Sequence, residues 1–164
     1  QGGNNNPYNQ DNATTWLDWS LLDRNRDIHR FFKMMIAFRK AHPSIGRSRF
    51  WRDDVQWYGM GREVDWSDGS HHLAYCLRGA SQSDRDLYVM INAGPADLTF
   101  TVQQGEAADW RCVVDTARPS PADVLADDEA EPLESLNYLV RARSVVVLLR
   151  GVGTRPVHEP GVPA

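Results

Sequence analysis

Cysteine is scarce in this 164-residue chain: Cys76 and Cys112 are its only two. Two are too few for a disulfide scaffold of this length, so a reducing compartment is expected. Lysine is nearly missing as well, with Lys33 and Lys40 set against sixteen arginines. Basic charge is not in excess. Eighteen Lys+Arg against twenty-two Asp+Glu leave a formal charge of −4, which argues against nucleic acid or an anionic membrane as a partner. No apolar run approaches the roughly 18 residues of a transmembrane helix, and no charged-then-apolar leader precedes a cleavage site, so the chain reads as soluble. There is no Gly-x-Ser-x-Gly, and Gly59-Met60-Gly61 neither cradles a phosphate nor opens a helix. Zinc spacing of Cys and His is absent too. The chain also lacks an initiator methionine. Its opening on Gly2-Gly3-Asn4-Asn5-Asn6-Pro7 gives the expectation of a segment taken from a longer protein.

What is present falls into blocks. Residues 1 to 15 are Asn, Gln, Gly, Pro and Thr almost throughout, a loop composition. From Asp23 to about His42, Ile28, Phe31, Phe32, Met35 and Phe38 recur at helical spacing, with Arg30, Lys33, Ala37 and Lys40 on the opposite stripe. Asp23 is the expected N-cap, Arg39, Lys40 and His42 suit the C-terminal end, and Pro43 stops the helix. Beyond Arg52 the period becomes two, most plainly over Leu98–Gln103. Further strands are expected at Val55–Tyr58, Leu73–Leu77, Leu87–Asn92, Trp110–Asp115, Tyr138–Ala142 and Ser144–Leu149. Ala93-Gly94-Pro95-Ala96 reads as a hairpin connection. Seven short strands with no helices between most of them point to an antiparallel β-sandwich. Residues 117 to 134 read as an acidic, proline-punctuated loop, and 151 to 164 as a frayed tail.

Several groupings carry side chains of the types that chemistry uses. The Asn-rich loop with Tyr8, Asp11, Trp16 and Trp19 suits a sugar, because amides donate and accept while aromatic faces stack on C–H surfaces; on composition alone, turn residues bonding their own backbone explain it more simply. Asp65–His72 reads as a turn before a strand rather than a metal cluster, since adjacent His71 and His72 would point to opposite faces. Asp53-Asp54, Asp65/Asp68 and Asp127-Asp128-Glu129 are carboxylate pairs by type, as glycoside hydrolysis needs, yet all lie in loops of an acidic chain. Arg47, Arg49 and Arg52 suit phosphate or, more simply, docking of the helix end. Cys76 and Cys112 read as small core residues, and His29 and His42 as structural. Composition and spacing alone give no catalytic set, no metal site and no cofactor.

Taken together and in order, Gly3–Asn12 with Trp16-Leu17-Asp18-Trp19, then Ile36-Ala37-Phe38-Arg39-Lys40-Ala41-His42-Pro43, then the segments beginning at Val55, Asp65, Leu73, Val89, Val113 and Ala142 resemble the C-terminal part of bacterial glycogen debranching enzymes of the isoamylase type, in the alpha-amylase superfamily. The resemblance covers residues 2 to 150. Where the family usually has Ala-Tyr-Cys in the loop, this chain has Pro7-Tyr8-Asn9. The resemblance implies a mainly β fold: a loop over 1–23 after the last strand of a truncated (β/α)8 barrel, the last barrel helix over 24–43, a C-terminal β-sandwich over 50–150, and a flexible tail over 151–164. It also implies a parent that cleaves α-1,6 branch linkages of glycogen or limit dextrin, with the catalytic carboxylates upstream of Gln1 and the chain by itself inactive. The implied partners are an α-glucan and the missing barrel, and the implied location is cytoplasmic. Asn5, Asn6, Tyr8 and Asp11 are the expected glucan contacts, and the Phe31/Phe32/Met35/Phe38 stripe is expected to face the barrel. The alternative is a free-standing carbohydrate-binding module, which requires an exposed row of aromatics; Trp51, Trp57, Trp66 and Trp110 are eligible.

Overall fold

Two segments, Leu87–Asn92 (LYVMIN) and Ser144–Arg150 (SVVVLLR), are apolar almost without alternation. A strand with that composition must bury both faces, and the computed structural model, which describes Tyr8 and residues 10–151, puts these two at the middle of a sheet. In chain order the strands are β1 (Val55–Tyr58), β2 (His72–Leu77), β3 (Leu87–Asn92), β4 (Leu98–Thr101), β5 (Trp110–Asp115), β6 (Asn137–Val140) and β7 (Ser144–Arg150). Five form an antiparallel sheet in the order β1-β2-β3-β7-β5, and β4 pairs with β6 in a second, two-stranded antiparallel sheet. The sandwich expected from the sequence is therefore present, with strand limits within two residues of those expected.

The two sheets enclose one core, in which Trp110, Tyr88, Phe100, Met90 and Leu148 are buried. Tyr88 stacks on Tyr58 and meets Trp110 edge-on. The other face of the large sheet carries a second core of Leu77, Leu87, Val89, Val113, Val114, Val147 and Leu149. A bulge in β5 between Cys112 and Val114 lets Val113 and Val114 both turn to that second core while Cys112 stays in the first. The structure is thus three-layered: a helix, a five-stranded sheet and a two-stranded sheet.

The helical region differs from the single helix expected over Asp23–His42. It consists of α1 (Leu21–Arg24), α2 (Arg26–Ala41) and α3 (Pro43–Gly46). Asp23 is not the N-cap. It lies within α1 and pairs with Arg26, while Asn25, at φ −111° and ψ 35°, interrupts the helical path and precedes α2. The stop is as expected, with His42 extended ahead of Pro43. Phe31, Met34, Met35 and Phe38, spaced i, i+3, i+4, i+7, pack on the second core. The expectation that Phe31, Met35 and Phe38 face a barrel is therefore corrected: this chain's own sheet covers them. A second stripe, Ile28, Phe32 and Ile36, stays 54%, 62% and 56% exposed.

Two further expectations are revised. Ala93–Ala96 is no hairpin loop, because β3 and β4 belong to different sheets. Buried Asn92 fixes this crossover, its amide lying 2.9–3.1 Å from the carbonyls of Ala96, Val140 and Arg141 while its Oδ1 accepts from Gly94 N. Residues 117–134 are also more than a solvated loop. Val114 bridges Val124, Arg111 bridges Pro132, and Leu125 N donates to Val113 O, so this segment covers the outer edge of β5.

Candidate functional site

Three polar contacts clamp the helix layer to the sandwich. At one end, Arg30 Nη1 donates to Asp123 Oδ1 at 2.6 Å and Nη2 to the carbonyls of Pro121 and Val124. At the other, buried His42 meets Asp84 through Nδ1 at 2.9 Å, and Ser44 N donates to the second Asp84 oxygen. Next to it, Arg47 Nη1 donates to Asp54 Oδ2 at 2.6 Å. Gly79 belongs to this arrangement, since a Cβ there would collide with the carbonyls of Asp84 and Arg85. The docking role expected of Arg47 is thus present; Arg49 and Arg52 are exposed.

Of the expected glucan contacts, Asn5 and Asn6 lie outside the described residues. Tyr8 is 76% exposed. Asp11 accepts a hydrogen bond from Trp16 Nε1 at 2.7 Å, which ties two of the expected residues across five positions. The rest of the loop serves its own backbone: Asn12 Oδ1 accepts from Thr14 N, and Asp18 Oδ1 accepts from both the amide and the hydroxyl of Ser20. Trp16, Leu17 and Trp19 remain exposed. The loop therefore offers Tyr8, Trp16 and Trp19 as open aromatic surfaces beside a carboxylate held in place.

Most of the described aspartates are committed to structural partners. Asp86 and Asp109 share Arg150, Asp97 takes Arg141, Asp115 takes Arg118 and the Tyr138 hydroxyl, and Asp127 takes Arg85. Hydrogen bonds from Arg47 and Ser81 hold the Asp54 carboxyl below the usual range, and one from Arg141 does the same for Asp97. Burial opposes the charge on Asp84, but hydrogen bonds from His42, Ser44 and the Arg85 amide outweigh it and the net shift is downward. A general acid needs a shift in the other direction. The Asp18, Asp54, Asp65, Asp84 and Asp97 carboxyls are all shifted downward, and among the described residues no cluster of three or more His, Cys, Asp or Glu is gathered as a metal site. Asp65 closes a turn on Ser67 N, and His71 bonds the Gly69 carbonyl. Burial pushes the Cys76 thiol up to about 12 and raises that of Cys112, so both are free, inert core residues.

The four eligible tryptophans do not make one row. Trp110 is in the core, Trp51 and Trp57 both lean on Tyr75 at 5.3 and 5.4 Å between centroids, and Trp66 stands exposed in the 59–71 connection. Sequence reasoning missed Arg30, Asp84 and Arg150. Their partners are 93, 42, and 64 and 41 residues away in sequence, beyond the reach of any local pattern.

Comparison with known proteins agrees with this geometry. A family model for the isoamylase 1-3 C-terminal domain matches residues 56–147, which span β1 to most of β7. The chain is 36% identical to a glycogen debranching enzyme of Dickeya chrysanthemi over 119 residues, covering 68% of this chain and 16% of that protein. It is 30% identical to isoamylase 1, chloroplastic, of rice over 130 residues, covering 78% of this chain and 16% of that protein. A pullulanase from Bacillus acidopullulyticus superposes with a TM-score of 0.66 at 20% identity, over 90% of this chain and 16% of that one; this likeness is one of fold. The chain thus spans about a sixth of the length of these curated relatives. With the family model matching more than half of its residues, across both sheets, the chain belongs to the isoamylase C-terminal domain family.

Proposed function

We propose that this chain is the C-terminal part of a glycoside hydrolase that cleaves α-1,6 branch linkages of glycogen or limit dextrin. The observation that carries the reading is the match to the isoamylase C-terminal family over 56–147 in a chain where Asp54, Asp86, Asp109 and Asp123 are tied up as structural anions. The chemistry belongs to a retaining mechanism run by carboxylates elsewhere in the protein: one attacks C1, a protonated one delivers its proton to the leaving oxygen, and a third supports the charged transition state.

In this reading α2 is the last helix of a (β/α)8 barrel. Its Phe31/Met35/Phe38 stripe rests on the sandwich, and its exposed Ile28, Phe32 and Ile36 meet the barrel. The sandwich braces that barrel. The loop before α1 lies at the barrel mouth, where such folds gather their sites, and Asn5, Asn6, Tyr8 and Asp11 contact the glucan there. The exposure of Tyr8 and the fixed Asp11 carboxylate support this assignment. A cytoplasmic location is part of the proposal. Among the described residues no helix is long and apolar enough to cross a membrane, while the rice relative is described as chloroplastic.

The test is product analysis with a protein that contains this chain and the preceding barrel. Incubated with glycogen limit dextrin, it is expected to release linear chains with loss of α-1,6 linkages. Absence of that loss overturns the reading. In the same protein Tyr8→Ala is expected to lower kcat/KM by about three- to tenfold, the scale of one aromatic stacking contact; an unchanged value removes Tyr8 from the glucan site.

A further inference from the structure

The indole of Trp16 is turned back onto the loop that it follows. Its Nε1 donates to Asp11 Oδ1 at 2.7 Å, across five residues. An indole nitrogen is a donor only, so the carboxylate accepts, and 2.7 Å is the length of a bond in which one partner is ionised. The backbone brings the two side chains together. Trp16 N and Thr15 N both donate to Asn12 O, at 3.1 and 2.9 Å, and Asn12 Oδ1 accepts from Thr14 N at 2.9 Å. These bonds fold residues 12–16 into one tight turn, which returns the indole to Asp11, the residue before that turn.

Two features of the pair go beyond closing the turn. The turn is already closed by the bonds to Asn12, so the Asp11–Trp16 bond satisfies no backbone group. It also uses only one carboxylate oxygen: among the described residues Asp11 Oδ2 has no partner, and Trp16 is itself 59% exposed. An aspartate in an open loop spreads over several rotamers. A bond to one of its oxygens fixes the direction in which the other points.

We infer that Trp16 is a positioning residue for the glucan site: its N–H holds the Asp11 carboxylate so that Oδ2 accepts a hydrogen bond from a sugar hydroxyl. The inference rests on the proposed function, which sets Asp11 against the glucan, and it gives Trp16 a role separate from stacking. A carboxylate oxygen accepts and does not donate, so the group it selects is a hydroxyl rather than an acetal oxygen. The freedom that Asp11 would lose on binding is already lost in the free protein, and affinity rises by that difference. Asp11 is none of the three carboxylates that run the chemistry, so its contact is made alike in the ground and transition states and belongs to KM rather than kcat.

The experiment is steady-state kinetics on glycogen limit dextrin with the protein that contains this chain and the preceding barrel. Trp16→Phe keeps an aromatic ring and deletes the N–H. It is expected to raise KM about three- to tenfold, the scale of one hydrogen bond, with little change in kcat or Tm. Asp11→Ala is expected to raise KM at least as much. Adding Trp16→Phe to Asp11→Ala is expected to raise it no further, because the indole then has no carboxylate to hold. A purely structural Trp16 would shift Tm and leave the two substitutions additive. An unchanged KM in Trp16→Phe, or an effect of the same size with and without Asp11, overturns the inference while the debranching activity stands. Absence of activity in the parent protein overturns the proposed function and this inference with it.

Discussion

Arg150 and Arg26 both sit in ion pairs with aspartate, and the pairs differ greatly in worth. The Arg150 side chain is 5% exposed, bridges Asp86 at 3.1 Å and Asp109 at 3.0 Å, and lies over the Trp110 ring. Arg150→Met leaves two partly buried carboxylates without their cation. A loss of about 3 kcal/mol in urea denaturation is expected, the lower end of the range for breaking a buried pair. Arg26 pairs with Asp23 on an open surface at 78% and 88% exposure, and Arg26→Ala is expected to change stability by less than about 0.5 kcal/mol. Equal effects would refute this ranking. The His42–Asp84 contact makes a pH prediction. The folded Asp84 pKa lies below its ordinary 3.8, so its contribution to stability is present above that ordinary value and is lost as pH falls through the folded one. Asp84→Asn is expected to flatten the acid limb of stability below about pH 4; an acid limb identical to that of the parent chain would count against the contact. Residues of this kind were invisible in the sequence, because nothing local distinguishes Arg150 or Asp84 from the surface charges that surround them.

At the level of elements, the sequence was informative wherever the signal was local. Alternation gave the strands, and the His42-Pro43 step gave the end of α2. The runs in β3 and β7 also held an unused signal: Val145 to Leu149 are apolar in sequence, which requires cover on both faces of the sheet and so a third layer. That cover is α2. The helix was read as one apolar stripe, but Phe31 and Phe32 are 100° apart on a helical wheel and fall on different surfaces, one on the sheet and one in solvent. Two consequences follow for mutants. Met35→Ala, on the sheet side, is expected to destabilise by about 1–2 kcal/mol, below the 2–5 of a fully buried site. Ile28→Ser/Phe32→Ser/Ile36→Ser is expected to leave stability nearly unchanged while suppressing hydrophobic-dye binding and self-association of the 164-residue chain. A dye-silent, monomeric parent chain with α2 still formed would refute the exposed second stripe. The asparagine loop was readable as composition only. Which of its amides close turns and which face outward depends on the path of the backbone, as Asn12 and Asp18 illustrate by bonding Thr14 and Ser20.

For the molecule as a whole, the carboxylates are set as a scaffold would use them. Asp123 and Asp84 hold the two ends of α2, Asp54 takes Arg47 beyond it, and Asp86 with Asp109 closes the end of β7 around Arg150. The downward shifts of Asp54 and Asp84 keep those two ionised, which suits anchoring rather than proton delivery. That division of labour, scaffold in this chain and bond-breaking elsewhere, underlies the proposed function. It is tested most directly by the reducing ends released when the 164-residue chain alone, at high concentration, is incubated with glycogen limit dextrin. The expected result is a rate indistinguishable from the blank. Sustained release that disappears on replacing one of these aspartates by asparagine, with the fold retained, would contradict the assignment.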